Sequence, residues 1–291
     1  MKLKPAMKGI LWMALAQTAF VVAWSCVKLV GERIPVFEIT FFRSAISVVL
    51  IVPLVHLRRG SLRGRAVKNL LLRSAFGTAA MLLSFYAMIH MDLGNATTLF
   101  NTMPIFVALL APAMIGEPFE RKQLLLILGG FAGIALVLRA DAGIFEGLGL
   151  MAVGAGFLAA IAMIFVRKLT STDSVFVVTF FFTGFAALVS LPVAAIGYVA
   201  PTPHEWALIA LIGIAATLGQ ILLVHAYRFG HAATIAPFAY VSVVGSYVSG
   251  VLIFGAIPDI QSIAGAAIVI GCGAGIMLFA PAARQAAKVR T

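Results

Sequence analysis

The sequence predicts an all-α membrane protein, with ten transmembrane helices arranged as two inverted five-helix repeats. Three observations lead there. The 291 residues are 62% hydrophobic and 11% charged, against roughly 45–50% and about 25% in soluble domains, and a mean hydropathy of +1.09 over the whole length needs many spans of about 20 residues. The basic residues stand at the ends of apolar runs and collect on one side. The two halves of the chain also resemble each other at a near-constant offset.

The first span, Gly9–Leu29, follows the basic start Lys2, Lys4 and Lys8 and is too long for a cleavable signal. The tight connection Gly31 to Pro35 leads into the second, Val36–Leu57. A basic stretch from Arg58 to Lys68 separates this from the third, Leu70–His90, and Met91 to Gly94 turns the chain into the fourth, Asn95–Ile115. Such short turns make neighbours antiparallel. The fifth, Gln123–Leu138, is the shortest and lies between Arg121-Lys122 and Arg139. The sixth, Gly147–Val166, ends at Arg167-Lys168, and Val175–Gly197, Trp206–Tyr227, Ala232–Phe254 and Ile260–Pro281 complete the set. With a cytoplasmic amino terminus, 17 of the 21 basic residues fall on the inner side, Arg73 among them, and Lys28, Arg33 and Arg139 on the outer; Arg43 lies within a span. The positive-inside rule then places both termini in the cytoplasm.

Val36-Phe37-Glu38-Ile39-Thr40-Phe41-Phe42 returns as Val175-Phe176-Val177-Val178-Thr179-Phe180-Phe181 at an offset of 139, and Pro53 returns as Pro192. Gly77, Ala79 and Ala80 return as Gly213, Ala215 and Ala216 at 136, and Gly129 with Ala132-Gly133-Ile134 as Gly271 with Ala274-Gly275-Ile276 at 142. The expected repeats are residues 1–140 and 141–291. Five helices is an odd number, so the second copy enters the membrane inverted, as in secondary transporters with a midplane site.

Ten spans leave no room for a soluble domain of about 100 residues. The net charge of +11 is an orientation signal and not a nucleic-acid surface, which needs its basic residues on one folded face. Cys26 and Cys272 sit in separate spans with no metal-type spacing. Gly154-Ala155-Gly156 has no preceding strand, and His204-Glu205 lacks the second histidine of a metalloprotease helix. No cofactor and no metal are expected. The rival class, an intramembrane lipid-modifying enzyme, needs a nucleophile, a metal cluster or a mid-depth carboxylate pair, and the sequence offers none.

Thr40-Phe41-Phe42-Arg43, Phe85-Tyr86-Ala87, Pro104 with Gly116-Glu117, Ala236-Pro237-Phe238-Ala239-Tyr240 and Phe254-Gly255-Ala256-Ile257-Pro258-Asp259 occur in this order. In these features the chain resembles the drug/metabolite transporter superfamily, in its ten-helix EamA-type branch. The resemblance implies a central cavity, transport of a small organic metabolite without ATP hydrolysis, and the bacterial inner membrane. Riboflavin-like vitamin uptake is the first substrate expectation, with S-adenosylmethionine or amino-acid transport as alternatives. Ala256 departs from the pattern, standing where a glutamate is usual in the second copy. The expected partners are the lipid bilayer and the substrate, with a monomer or weak homodimer as the oligomeric state.

Arg43 is the sharpest candidate. A charge near the middle of a span costs about 2.5–3.5 kcal/mol on insertion scales and must face the interior. Its second-half counterpart is Phe182, and that of Glu38 is Val177, so the polar pair belongs to one half. Two roles are open to it: anchoring a substrate carboxylate or carbonyl, or locking helices through backbone carbonyls and Glu38. Gln17, Tyr86, Asn101, Gln220 and Tyr240 are the other expected substrate contacts, each equally suited to interhelical bonding. Pro104 and Pro237 free backbone carbonyls beside Asn101 and Tyr240. Trp24, Phe100 and Tyr247 are expected to supply stacking faces.

Overall fold

The computed structural model describes residues 5–57, 61–115, 121–140, 146–169, 172–228 and 236–278, and the regular structure among them is helical throughout. The helices are α1 (Pro5–Gly31), α2 (Val36–Leu57), α3 (Val67–His90), α4 (Leu93–Phe100), α5 (Met103–Ile115), α6 (Arg121–Ala140), α7 (Glu146–Leu169), α8 (Val175–Ile196), α9 (Pro203–Arg228), α10 (Val241–Phe254) and α11 (Ile260–Leu278), with a 3-10 turn, Ala236–Tyr240, before α10. Seven helical stretches among the described residues are long and apolar enough to cross a membrane, and Leu124–Leu138, Phe238–Phe254 and Ile260–Ile276 are shorter apolar ones. Together they make the ten predicted units. Glu117, the start of the ninth predicted span and the end of the tenth lie outside the described residues.

The fourth unit is one continuous helix in the sequence-based reading and two in the structure. Pro104 has no N–H and its ring collides with the carbonyl four residues back, so the chain turns at Asn101-Thr102 between α4 and α5. Thr102 N–H bonds to the Leu99 carbonyl and Ile105 N–H to the Thr102 carbonyl, three residues back in each case. Gly156 of α7 faces the break: a Cβ there would stand 2.9 Å from the Phe100 carbonyl oxygen and 3.2 Å from that of Leu99. This glycine, which carried no meaning as a nucleotide motif, permits the close approach of α7.

Helix ends follow their local chemistry. Ser174 caps α8 by accepting from Val177 N–H. Thr202 and Glu205 form a capping box with Pro203 at the first helical position: the Glu205 carboxylate accepts from Thr202 N–H at 2.7 Å, and Thr202 Oγ1 accepts from Glu205 N–H at 3.3 Å. The His204-Glu205 pair thus has a helix-starting role. Gly255 ends α10 with φ of 64°, and the Ala256 N–H returns to the Gly250 carbonyl at 3.0 Å.

The helices pack in pairs drawn from opposite halves: α1 lies along α9, α3 along α7, α2 along α8, α4 along α10 and α6 along α11. The last pair brings together glycines that recur between the two halves. A Cβ on Gly129 would meet Cys272, one on Gly133 would stand 3.0 Å from the Gly265 carbonyl, and one on Gly275 would touch Leu126, whereas Gly271 faces nothing within 4 Å. The main core runs between the halves through Val27, Phe85, Met88, Leu99, Phe182 and Ile209.

Candidate functional site

Arg43 lies in the second turn of α2, about 10 Å along the helix from Val36 at 1.5 Å per residue. Only 5% of it is exposed. Its Nη1 points at the Met81 sulfur at 2.6 Å, and its Cζ stands 6.0 Å from the Phe85 ring centroid and 5.8 Å from that of Phe182. Glu38 does not pair with it. That carboxylate is fully buried and accepts from Val199 N–H at 3.0 Å, so the expected lock between Glu38 and Arg43 is absent.

A second arginine joins the first. Arg73 was placed with the inner-face charges by its nearness to the basic stretch before it, but it belongs to α3, and its guanidinium lies 3.8 Å from the Phe182 ring centroid. Its side chain climbs its own helix past Gly77, where a Cβ would be 2.9 Å from Nη1 and 3.1 Å from Phe182. Both guanidiniums therefore meet at one ring, with the two Cζ atoms no further apart than the sum of their distances to it. Two unit charges roughly 9 Å apart repel by about 2 kcal/mol at an effective dielectric near 20. Cation–π contact returns about 0.5–2 kcal/mol each, less than the about 2.5–3.5 kcal/mol that each charge costs at mid-membrane.

Orphaned polar atoms lie on the two helices that carry these arginines. Arg43 Nε, Thr40 Oγ1 and Ser44 Oγ on α2, and Arg73 Nε and Nη1 with Thr78 Oγ1 on α3, are buried without a hydrogen-bond partner. Among the described residues the ion pair is Arg33 with Glu205, far from these groups at the opposite end of α2 and α9 from the basic stretch. The site offers two forks of donors and hydroxyls, which is chemistry for an anionic or carbonyl-bearing ligand.

The other sequence-predicted residues divide between places. Trp24 stacks on Phe20 at 5.8 Å and meets Phe100 edge-on at 6.0 Å, so two of the three stacking candidates come together. Asn101 sits at the α4–α5 break, donating to the Thr97 carbonyl at 2.9 Å and to Ser242 Oγ at 3.4 Å. Gln17 is buried and turns back to the Met13 sulfur on its own helix. Gln220 is half-buried in α9. Tyr86 does not reach the group: it is exposed on α3 and stacks on His90 at 4.3 Å. Tyr240 also points elsewhere, its hydroxyl occupying the space a Cβ would take on Gly273 of α11. Tyr247 lies against Gly94 and donates to Asn95 Oδ1 at 2.8 Å. With Thr97 Oγ1 to Ser246 Oγ at 2.9 Å, these bonds make a polar seam between α4 and α10.

Polar clamps occupy both ends of the bundle. Lys28 Nζ donates to the carbonyls of Met88, Ile89 and Met91 at the end of α3, where a cation suits the helix terminus. Arg33 grips Glu205 with Nε at 2.7 Å and also donates to the Ala200 carbonyl. At the opposite end Asp173 accepts from the N–H groups of Arg65 at 2.7 Å and Ala66 at 3.2 Å. Desolvation pushes its carboxyl up, but those bonds and the Thr172 hydroxyl outweigh it, so the net shift is downward. Ser47 and Thr217 share a hydrogen bond of 2.7 Å between α2 and α9.

Comparison with known proteins places this arrangement. The chain is 30% identical to the pseudopaline exporter CntI of Pseudomonas aeruginosa over 267 residues, 90% of this chain and 93% of that one. It is 28% identical to an S-adenosylmethionine uptake transporter of Rickettsia bellii, with 84% of each chain covered. A crystal structure with 19% sequence identity superposes with a TM-score of 0.65, covering 96% of this chain and 99% of the other, and supports the fold. These named relatives are transporters and not enzymes, and neither is named for riboflavin, the first substrate expectation. The model of the EamA-like transporter family matches twice, over residues 7–139 and 148–279, and the chain, a multi-pass membrane protein and metabolite transporter, belongs to that family.

Proposed function

We propose that this protein is a secondary or facilitative transporter that carries a small organic metabolite across the bacterial inner membrane by alternating access, with both termini cytoplasmic and Arg43 anchoring the substrate. The observation that carries this is the meeting of Arg43 with Phe182 at 5.8 Å. The two residues are counterparts at the repeat offset of 139, and counterparts touch only near the axis that relates the halves. An inverted repeat puts its substrate site at that axis, near the midplane.

The helix pairing supports the same symmetry. Exchanging each unit with the one five places on turns the α1–α9 pair into the α7–α3 pair, and the α2–α9 pair into the α8–α3 pair; the α2–α8, α4–α10 and α6–α11 pairs map onto themselves. Residues 1–140 and 141–291 are the proposed repeats. Substrate identity and direction follow the relatives only as first compounds to try, pseudopaline outward and S-adenosylmethionine inward.

The test is flux. Everted vesicles and proteoliposomes are loaded with each compound, and intracellular and extracellular metabolites are profiled in cells with and without the protein. Wild-type protein moves at least one metabolite, and Arg43→Ala reduces that flux at least tenfold while retaining wild-type thermal unfolding. Absence of flux with every compound profiled removes the transport reading, and an Arg43→Ala protein that transports normally removes the role of Arg43.

A further inference from the structure

A site with one anchoring arginine leaves Arg73 unexplained. It is half-buried beside a second cation, near a ring that contacts both guanidiniums, and its Nε and Nη1 are buried with no acceptor. Among the described residues no carboxylate lies within ion-pair distance of either arginine. Structural arginines inside membranes pair with carboxylates or backbone carbonyls; here the recorded neighbours are the Met81 sulfur, Phe85 and Phe182. Gly77 keeps the path of the Arg73 side chain open, and Thr40, Ser44 and Thr78 hold unpartnered hydroxyls in the turns flanking the two arginines.

We propose that Arg43 and Arg73 together form a two-point site for a small organic acid carrying two carboxylates, each guanidinium taking one carboxylate and Phe182 giving way between them. This deepens the reading of Arg43 as the substrate anchor and rests on it. The planar fork of each arginine matches a carboxylate in bidentate fashion, and only a doubly negative ligand cancels both charges. Thr40, Ser44 and Thr78 supply hydroxyls for the remaining acceptor positions of the acid. One carboxylate leaves one guanidinium unpaired, and phosphate presents its charge at one point.

The test uses the full chain purified in detergent, followed by thermal unfolding during titration with glutarate, butyrate or inorganic phosphate at fixed ionic strength. Glutarate raises Tm in a saturable way, and butyrate and phosphate do so at least tenfold more weakly. Arg43→Gln and Arg73→Gln each raise the apparent Kd for glutarate at least tenfold, and the double variant is little worse than either single one because the two points act as a unit. Without ligand, Arg73→Gln melts at or above the wild-type temperature, since it removes a repulsion, which separates lost binding from lost folding. Should that variant fail to fold, Arg73→Lys is read instead; it keeps the charge without the fork and weakens glutarate at least threefold. Equal shifts by glutarate and butyrate, a shift by phosphate alone, or full glutarate response in Arg73→Gln and Arg73→Lys would overturn the two-point site. Glutarate binding in a protein that transports nothing upholds this site and removes the transport reading. Flux of a metabolite without acid groups, with no glutarate shift, does the reverse.

Discussion

Arg73 reaches the Phe182 ring past residue 77, which has no side chain. A methyl group at 77 would press on Nη1 at 2.9 Å and on the Phe182 ring at 3.1 Å, and the flexible guanidinium is the group that yields. Gly77→Ala is therefore expected to weaken glutarate binding about tenfold while changing Tm by a few degrees at most, measured by the same melting titration. A different residue sets the response to acid. Asp173 holds the start of α3 from the neighbouring turn, and its carboxyl lies below the ordinary aspartate value in the folded state. Its contribution to stability is thus complete above about pH 4 and is lost as pH falls through the depressed folded value. Tm of the wild type falls over that window, and the fall becomes shallower in Asp173→Ala, which starts lower at pH 7. Arg43 was legible in the sequence as a lone charge within an apolar run. Arg73 was equally inside the predicted third span, but the basic stretch before it disguised it as part of an interfacial cluster. What sequence does not display is that a glycine one turn later redirects such a side chain inward.

Helix spacing hides breaks as well as directions. Apolar periodicity runs unbroken from Asn95 to Ile115, and only Pro104 marks the place where α4 ends and α5 begins. The break depends on α7: a Cβ at 156 meets two backbone carbonyl oxygens, at 2.9 and 3.2 Å, and backbone cannot step aside as a side chain can. Gly156→Val is expected to cost about 1–3 kcal/mol by overpacking, read as a lower Tm with reduced yield of folded protein. The seam between α4 and α10 is a softer joint. Ser246→Ala removes the bond from Thr97 and is expected to cost about 0.6 kcal/mol. Tyr240 and Tyr247 are polar aromatics at mid-span and so are expected as ligand contacts; in the structure the Tyr240 hydroxyl lies against Gly273 of α11 without a hydrogen-bond partner, and that of Tyr247 donates to Asn95 of α4. The pattern tells that such a residue faces the interior, but the identity of the neighbour depends on crossing angles that no single segment specifies. The start of α9 was missed as well: the eighth predicted span begins at Trp206, whereas the helix begins at Pro203, where Thr202-Pro203-His204-Glu205 spells its own capping box.

At the scale of the molecule, the number and order of the apolar helices were legible from hydropathy, because bilayer thickness leaves few alternatives, whereas the pairing of helices across the halves came only with the structure. The contents of the centre were only half legible, since one of two cations was counted at the surface. That pair has an electrical consequence. Empty, the proposed site carries two positive charges; with two carboxylates bound it is neutral. A membrane potential is worth about 2.3 kcal/mol per elementary charge per 100 mV, so voltage acts on the return of the empty carrier and scarcely on its loaded passage. In liposomes held at a potassium diffusion potential, the rate under return-limited conditions is expected to rise or fall exponentially with voltage. Arg73→Gln should reduce the slope by about half. A carrier built in this way is a capacitor whose charge is fixed in the protein and whose discharge is the arrival of its cargo.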